Sequence, residues 1–364
     1  MRAAALPVQR PRDARLLAVD RAGRISHRPR SALAEALAPD DLVVANDAAT
    51  WPASLVGTHV ASGATIEVRL AARRSLEADD VCTFVAVVFG AGDHRTPTER
   101  RPLPPLLGAG DALALGPLAA RVVALRGHPR LVELRFRGDA DAIRAGIARH
   151  GRPVQYAHVD SPLALWDVWT RIAALPAAFE PPSAGFVLDW RMLDRFVARG
   201  IAFATLTHAA GLSSTGDAAL DARLPLDEPY RIPATTIAAI ATAKRRGGRV
   251  VALGTTVARA LEHAAARSDG VQAGSGVANN RIGPSTRLAI VDAIVSGTHE
   301  PGTSHHSLLS AFVPAATLAR IDAALEARAY RTHEFGDSVL IERAAGRANH
   351  GDAPPRVAAT AVPA

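Results

Sequence analysis

Between about residues 58 and 136 the chain stops alternating strands with helices, and this interruption constrains its fold more than any other feature. Four β-like runs, at 65–70, 81–89, 119–125 and 131–136, follow one another with Gly- and Pro-rich turns between them. Closely spaced strands without helices between them predict a small barrel or sandwich. Residues 95–110 are rich in Pro and Gly and read as loop.

On both sides of this block the pattern is α/β. Residues 16–19 and 42–45 read as strands, with a helix over 31–38 capped by Ser31. Beyond Gly138, helices are expected at 139–150, 190–199, 257–266 and 315–329. Another starts at Pro233, a residue suited to a first helical turn, and runs to about 246. Strands are expected at 201–206, 249–253, 288–295 and 338–341. Such alternation implies a mainly parallel sheet with helices on its faces. The expected organisation is therefore a larger α/β domain, residues 1–57 plus 152–343, interrupted by an inserted β-barrel domain, residues 58–151. Residues 344–364 lack any period and are expected to be disordered.

Composition limits the partners and the setting. With 42 Lys and Arg against 35 Asp and Glu, the chain carries a net charge of +7. Lys244 is its only lysine. An arginine-rich basic surface suits a phosphate-bearing partner such as RNA, and it also suits a merely solvated surface. Only 4% of residues are aromatic, so aliphatic side chains and alanine must fill the core. Cys82 is the sole cysteine, which excludes an intrachain disulfide and fits a reducing cytoplasm. No secretory signal is expected at residues 1–12, and no stretch is apolar enough for a membrane span.

Five local patterns carry chemistry. The strand at 249–253 runs into Gly254-Thr255-Thr256 and a helix that carries Arg259. A helix start offers free N–H groups to an anion, and Gly254 would let a ligand approach the backbone; a plain capped turn has the same pattern. A second strand leads into Ser296-Gly-Thr-His299-Glu-Pro301, where His299 could move a proton near neutral pH. His305 and His306 follow it. No metal is expected there, because a zinc site needs further ligands and the cysteine is remote. The third pattern is Tyr330-Arg331 with Gly336-Asp337, either an anion and hydroxyl binder or a surface turn. The fourth is the turn Pro182-Ser183-Ala184-Gly185. The fifth is Asn46-Asp47 at a strand end.

In this order, the patterns resemble the S-adenosylmethionine:tRNA ribosyltransferase-isomerases of queuosine synthesis along nearly the whole chain. Pro11-Arg-Asp-Ala-Arg15 matches the family's start, and 41–47 matches its strand ending in Asn-Asp. Gly57, Gly63 and Glu67 fall where its inserted barrel begins. Residues 182–185 resemble Pro-Thr-Ala-Gly. Glu228 and Tyr230 match Glu-x-Tyr. Gly254, Thr255, Thr256, Arg259 and Glu262 match Gly-Thr-Thr-x-x-Arg-x-Leu-Glu. His299 and Pro301 match the end of Asn-Phe-His-Leu-Pro, and Tyr330, Arg331, Gly336 and Asp337 match Tyr-Arg-Phe-x-x-Tyr-Gly-Asp.

Departures accompany the matches. The family's histidine after Pro-Thr-Ala-Gly is replaced at 187 by Val, and that of Leu-His-Val-Gly by Thr207, with His208 one place later. Leu226 stands where another family histidine is expected, and Ala49 and Ser54 stand where two arginines are.

The resemblance implies transfer and isomerisation of the ribosyl part of S-adenosylmethionine onto 7-aminomethyl-7-deazaguanine in tRNA, with adenine and methionine leaving. It implies catalytic roles for His299 and Asp47. It implies substrate binding by Asn46, Ser183, Gly185, Gly254, Thr255, Thr256, Arg259, Arg331, Gly336 and Asp337. S-adenosylmethionine would be a substrate, with no cofactor, and tRNA a partner of a cytoplasmic monomer. The departures leave two alternatives open: a paralogue using the same donor on another acceptor, or a non-catalytic nucleoside- or RNA-binding relative.

Overall fold

The structure is a computed structural model that describes residues 1–267 and 270–347. Nine strands form one sheet in the order Gly274–Ala278, Glu228–Ile232, Ala202–His208, Leu42–Asn46, Val250–Leu253, Ala293–Gly297, Ser338–Glu342, Arg15–Val19 and Ile25–Pro29. The four strands from Ala202–His208 to Ala293–Gly297 are mutually parallel. Strands outside them add antiparallel partners, save for the parallel pair Ser338–Glu342 and Arg15–Val19. Leu42–Asn46 is buried at every residue, as expected of a strand covered on both faces. Helices Ala234–Arg245 and Thr255–Ala265 pack on one face, sharing a core with Leu42, Val44, Val250 and Ala252. Helix Trp190–Ala198 covers the other, sharing a core with Val43, Val251 and Val295.

The interruption is a closed six-stranded barrel of Leu118–His128, Leu131–Phe136, Thr83–Phe89, Thr65–Ala72, Ser54–His59 and Ala112–Leu115. Along Leu118, Ala119, Ala120, Arg121 and Val122, buried and exposed residues alternate, so apolar side chains fill the interior and arginine faces water. Closure leaves no unpaired edge. Helix Ala140–His150 seats Ile143 and Ile147 in the barrel's core. It is capped by Asp139, whose carboxylate accepts from the Ala142 amide at 2.8 Å.

Three sequence expectations are corrected. The helix expected over 31–38 is two 3-10 turns, Arg30–Ala32 and Ala34–Ala36, without a Ser31 cap. The Arg30 guanidinium fixes the segment's start from a buried position by donating to the Gly336 and Gln9 carbonyls. The strand expected over 288–295 begins only at Ala293. The amides of Ala289, Ile290 and Val291 donate instead to the Glu262 carboxylate, at 2.7–3.0 Å, and cannot join a ladder. Finally, Ala345–Arg347 form a 3-10 turn. The remainder of the segment expected to be disordered lies outside the described residues. Among the described residues, no helix is long and apolar enough to cross a membrane.

Candidate active site

The parallel strands Val250–Leu253 and Ala293–Gly297 end at one cavity of about 300 Å³. Ligands of open α/β sheets bind at such carboxyl ends. Its lining includes Glu180, Ser183, Ala184, Gly211, Glu228, Gly254, Thr255, Thr256, Arg259, Ser296, His299 and His305.

Gly254 joins strand to helix at φ 108°, a conformation that suits glycine, and a Cβ there would lie 3.3 Å from that of Ala184. As a glycine cap it offers no side chain to the first turn of helix Thr255–Ala265, and no side-chain bond caps it. The helix start thus presents free backbone donors and its positive dipole end at the cavity. Asn46 supports this corner from behind. Its Oδ1 accepts from the Ala48 and His208 amides, and its Nδ2 donates to the His208 carbonyl and the Thr256 hydroxyl. Asn46 is buried and does not line the cavity.

The His299 ring is held by a 2.8 Å bond between its Nε2 and Ser296 Oγ and lies against the His305 ring, centroids 4.8 Å apart. Burial, reinforced by His305, His333 and His306, keeps its pKa well below the ordinary value, so the imidazole is neutral at physiological pH. Burial likewise lowers His305. His306 is a brace on helix Ser304–Leu309, 3.0 Å from Asp322.

A buried polar cluster forms another part of the wall. Arg259 spends its guanidinium inside the protein, donating to Glu228 and to the carbonyls of Leu226, Ala278 and Asn280. The other Glu228 oxygen accepts from the Gly211 amide at 2.6 Å. Burial still raises the Glu228 pKa, outweighing Arg259. His208 Nε2 lies 3.5 Å from Glu228, too long for a good hydrogen bond. Its pKa falls to about 3, through burial first and Arg259 second, so His208 is neutral and this is no ion pair. Glu180 accepts from the Ser213 amide, and burial, then Glu334, pushes it up to about 8. A carboxyl that keeps its proton at neutral pH can act as an acid.

The structure therefore brings together Ser183, Gly254, Thr255, Thr256, Arg259 and His299, and separates other residues named from the sequence. Asp47 does not line the cavity; its carboxylate accepts from the Thr205 and Thr207 hydroxyls at 2.8 and 2.6 Å. It follows Asn46 directly, and successive residues of an extended chain point to opposite sides. Gly185 packs where a Cβ would lie 3.0 Å from Thr170. Arg331, Gly336 and Asp337 form a turn outside the cavity. The fully buried Asp337 accepts from the Arg15 and Arg331 amides and from both guanidinium groups. A Cβ on Gly336 would collide with the Arg331 carbonyl at 2.3 Å. These three residues thus secure the turn before the Ser338–Glu342 strand. Conversely, Glu180 and the roles of Ser296 and Glu228 escaped the sequence reading. Glu180 directly precedes the Pro181-Pro182-Ser183 turn, but nothing local signals its burial.

Comparison with known proteins identifies a family. The queuosine biosynthesis protein family model matches residues 1–341. The S-adenosylmethionine:tRNA ribosyltransferase-isomerase of Pelobacter propionicus is 32% identical over 339 residues, 90% of this chain and 92% of that one. Its namesake from Thiobacillus denitrificans is 33% identical over 333 residues, 91% of each chain. A solved S-adenosylmethionine tRNA ribosyltransferase from Thermotoga maritima is 24% identical, covers 93% of this chain and 96% of its own, and superposes with a TM-score of 0.49. A match over residues 1–341, with curated relatives 32–33% identical across nine-tenths of the chain, places this protein in the queuosine biosynthesis family of enzymes.

Proposed function

We propose that this protein transfers and isomerises the ribosyl part of S-adenosylmethionine onto 7-aminomethyl-7-deazaguanine in tRNA, releasing adenine and methionine. One observation carries the reading: the cavity at the strand ends opens beside an arginine-lined cleft. The cleft, of about 720 Å³, lies between barrel and sheet and is lined by Arg73, Arg74, Arg126, Arg223 and Arg281, against the carboxylates Glu133 and Asp227. Ala222, Pro225 and Arg281 line both cavities. A polyanion such as tRNA suits that electrostatic path better than a small neutral acceptor does. The functional unit of this proposal is the α/β domain expected over residues 1–57 plus 152–343, less the barrel strand Ser54–His59, with the barrel supplying the far wall of the cleft.

In this reading the first turn of helix Thr255–Ala265 receives an anionic or hydroxyl-bearing part of the donor, with Ser183 and Thr255 as hydroxyl partners. The neutral His299 is the base at the carbon next to the sulfonium, its ring set by Ser296. Glu180 is an acid that can protonate the departing adenine. Arg259 organises Glu228 instead of touching the donor.

The test is incubation with S-adenosylmethionine and tRNA with or without the 7-aminomethyl-7-deazaguanine base. Adenine and methionine release that depends on the modified tRNA supports the proposal. Release with a small 7-deazaguanine acceptor alone supports a paralogue, and no release with either rejects a ribosyl-transferring role.

A further inference from the structure

We propose that His158, His333 and Glu334 form a binding site for a divalent transition-metal ion of the Zn(II) class, directly behind the candidate active site. The ligand atoms of these three residues all lie within 4.8 Å of one another. His158 Nε2 and Glu334 Oε2 are 3.5 Å apart, and both are buried without a hydrogen-bond partner. A plain histidine–carboxylate pair would close that gap to a hydrogen bond, and a buried polar atom left unpartnered is costly. Two imidazoles and a carboxylate are a donor set that borderline divalent ions favour.

The backbone holds the cluster in place. His333 sits at φ 67°, a left-handed conformation unusual for a residue with a side chain. The Gly336 amide closes its turn by donating to the His333 carbonyl at 3.0 Å. The His158 ring stacks between Tyr156 at 5.6 Å and His333 at 4.3 Å. Zn–N and Zn–O bonds of about 2.0–2.1 Å place ligand atoms roughly 3.4 Å apart, so binding draws the ligand atoms together and turns the stacked imidazoles to aim their nitrogens at the ion. His333 Nε2 also lies 3.6 Å from Glu300, an exposed carboxylate free to swing away. The site adjoins the cavity: a Cβ at Gly297 would touch both the His299 ring and the His333 carbonyl. Phe335 stacks on Phe186 of the turn that carries Ser183, 5.4 Å between centroids. This cluster is separate from the histidines at 299, 305 and 306, where the sequence held out no metal.

The experiment is titration of the chelator-treated full chain with Co(II), followed by its visible d–d absorption, with Zn(II) as competitor. One equivalent should bind, Zn(II) should bleach the band, and Zn(II) should raise the unfolding temperature. His333→Ala and the isosteric Glu334→Gln should each weaken binding by at least about tenfold. Far-UV circular dichroism shows which variants fold, and Glu334→Gln decides if His333→Ala does not. Absence of a stoichiometric band overturns the proposal. So does unchanged affinity in Glu334→Gln, which would put the ion elsewhere.

Discussion

Replacing Arg259 with Met should destabilise the protein far more than it disturbs any ligand. The guanidinium is buried and donates to Glu228 and three carbonyls, the neutral contacts at 2.7–2.9 Å. Methionine fills much of the volume but leaves a buried carboxylate without its counter-charge. Removing one partner of such a pair costs about 3–5 kcal/mol. Glu228 can limit the cost by taking up a proton, which gives the deficit a signature in pH. Burial already raises the Glu228 pKa in the native protein, and losing Arg259 raises it further. A native carboxyl pKa above the unfolded value means that the folded state binds the extra proton. That contribution is present at low pH and is lost as pH rises through the folded pKa. The deficit of Arg259→Met should therefore grow as pH rises above the ordinary carboxyl range. Urea unfolding of wild type and variant across a series of pH values measures it. Arg259→Met with Glu228→Gln should recover at least about 1 kcal/mol, since glutamine can still accept from the Gly211 amide. A deficit below about 1 kcal/mol that does not change with pH would refute the argument. Loss of S-adenosylmethionine affinity with stability intact would instead restore Arg259 as a binding residue.

Further outcomes follow from the same site. His299→Ala should lower adenine release by about 10²–10⁴-fold with donor binding retained, and turnover within about threefold of wild type would remove its catalytic role. His208 titrates near 3 when folded against an ordinary 6.5, so the native state binds fewer protons between these values. Stability should then fall as pH drops below about 6.5, by up to about 1.4 kcal/mol per pH unit. His208→Asn should flatten that slope, and identical acid profiles for the two proteins would contradict it. Gly254→Val should cost about 1–3 kcal/mol from its φ of 108° and crowd Ala184 at the cavity mouth. Equal melting temperatures and donor affinities for wild type and Gly254→Val would show that this corner tolerates a side chain.

The sequence by itself determined the parts that depend on local pattern. The barrel was legible because alternation along 118–122 and close-set turns leave strands no helices to cross over with. The strand–Gly254–helix unit was legible because a glycine before Thr-Thr is a local signal of an open helix start. The pairing of His299 with that unit in one cavity follows from strand-end geometry, which places both at carboxyl ends of parallel neighbours. Tertiary structure alone decided which polar residues face the cavity and which brace it. Asp337 and Asp47 look alike as acids beside a strand, yet each is consumed by neighbours up to 322 residues away in the chain. Glu262 diverts three amides from an expected strand, and Glu180 and His208 have shifted pKa values only because distant segments bury them. Desolvation and partnering are properties of the assembled core, and no window of sequence contains them.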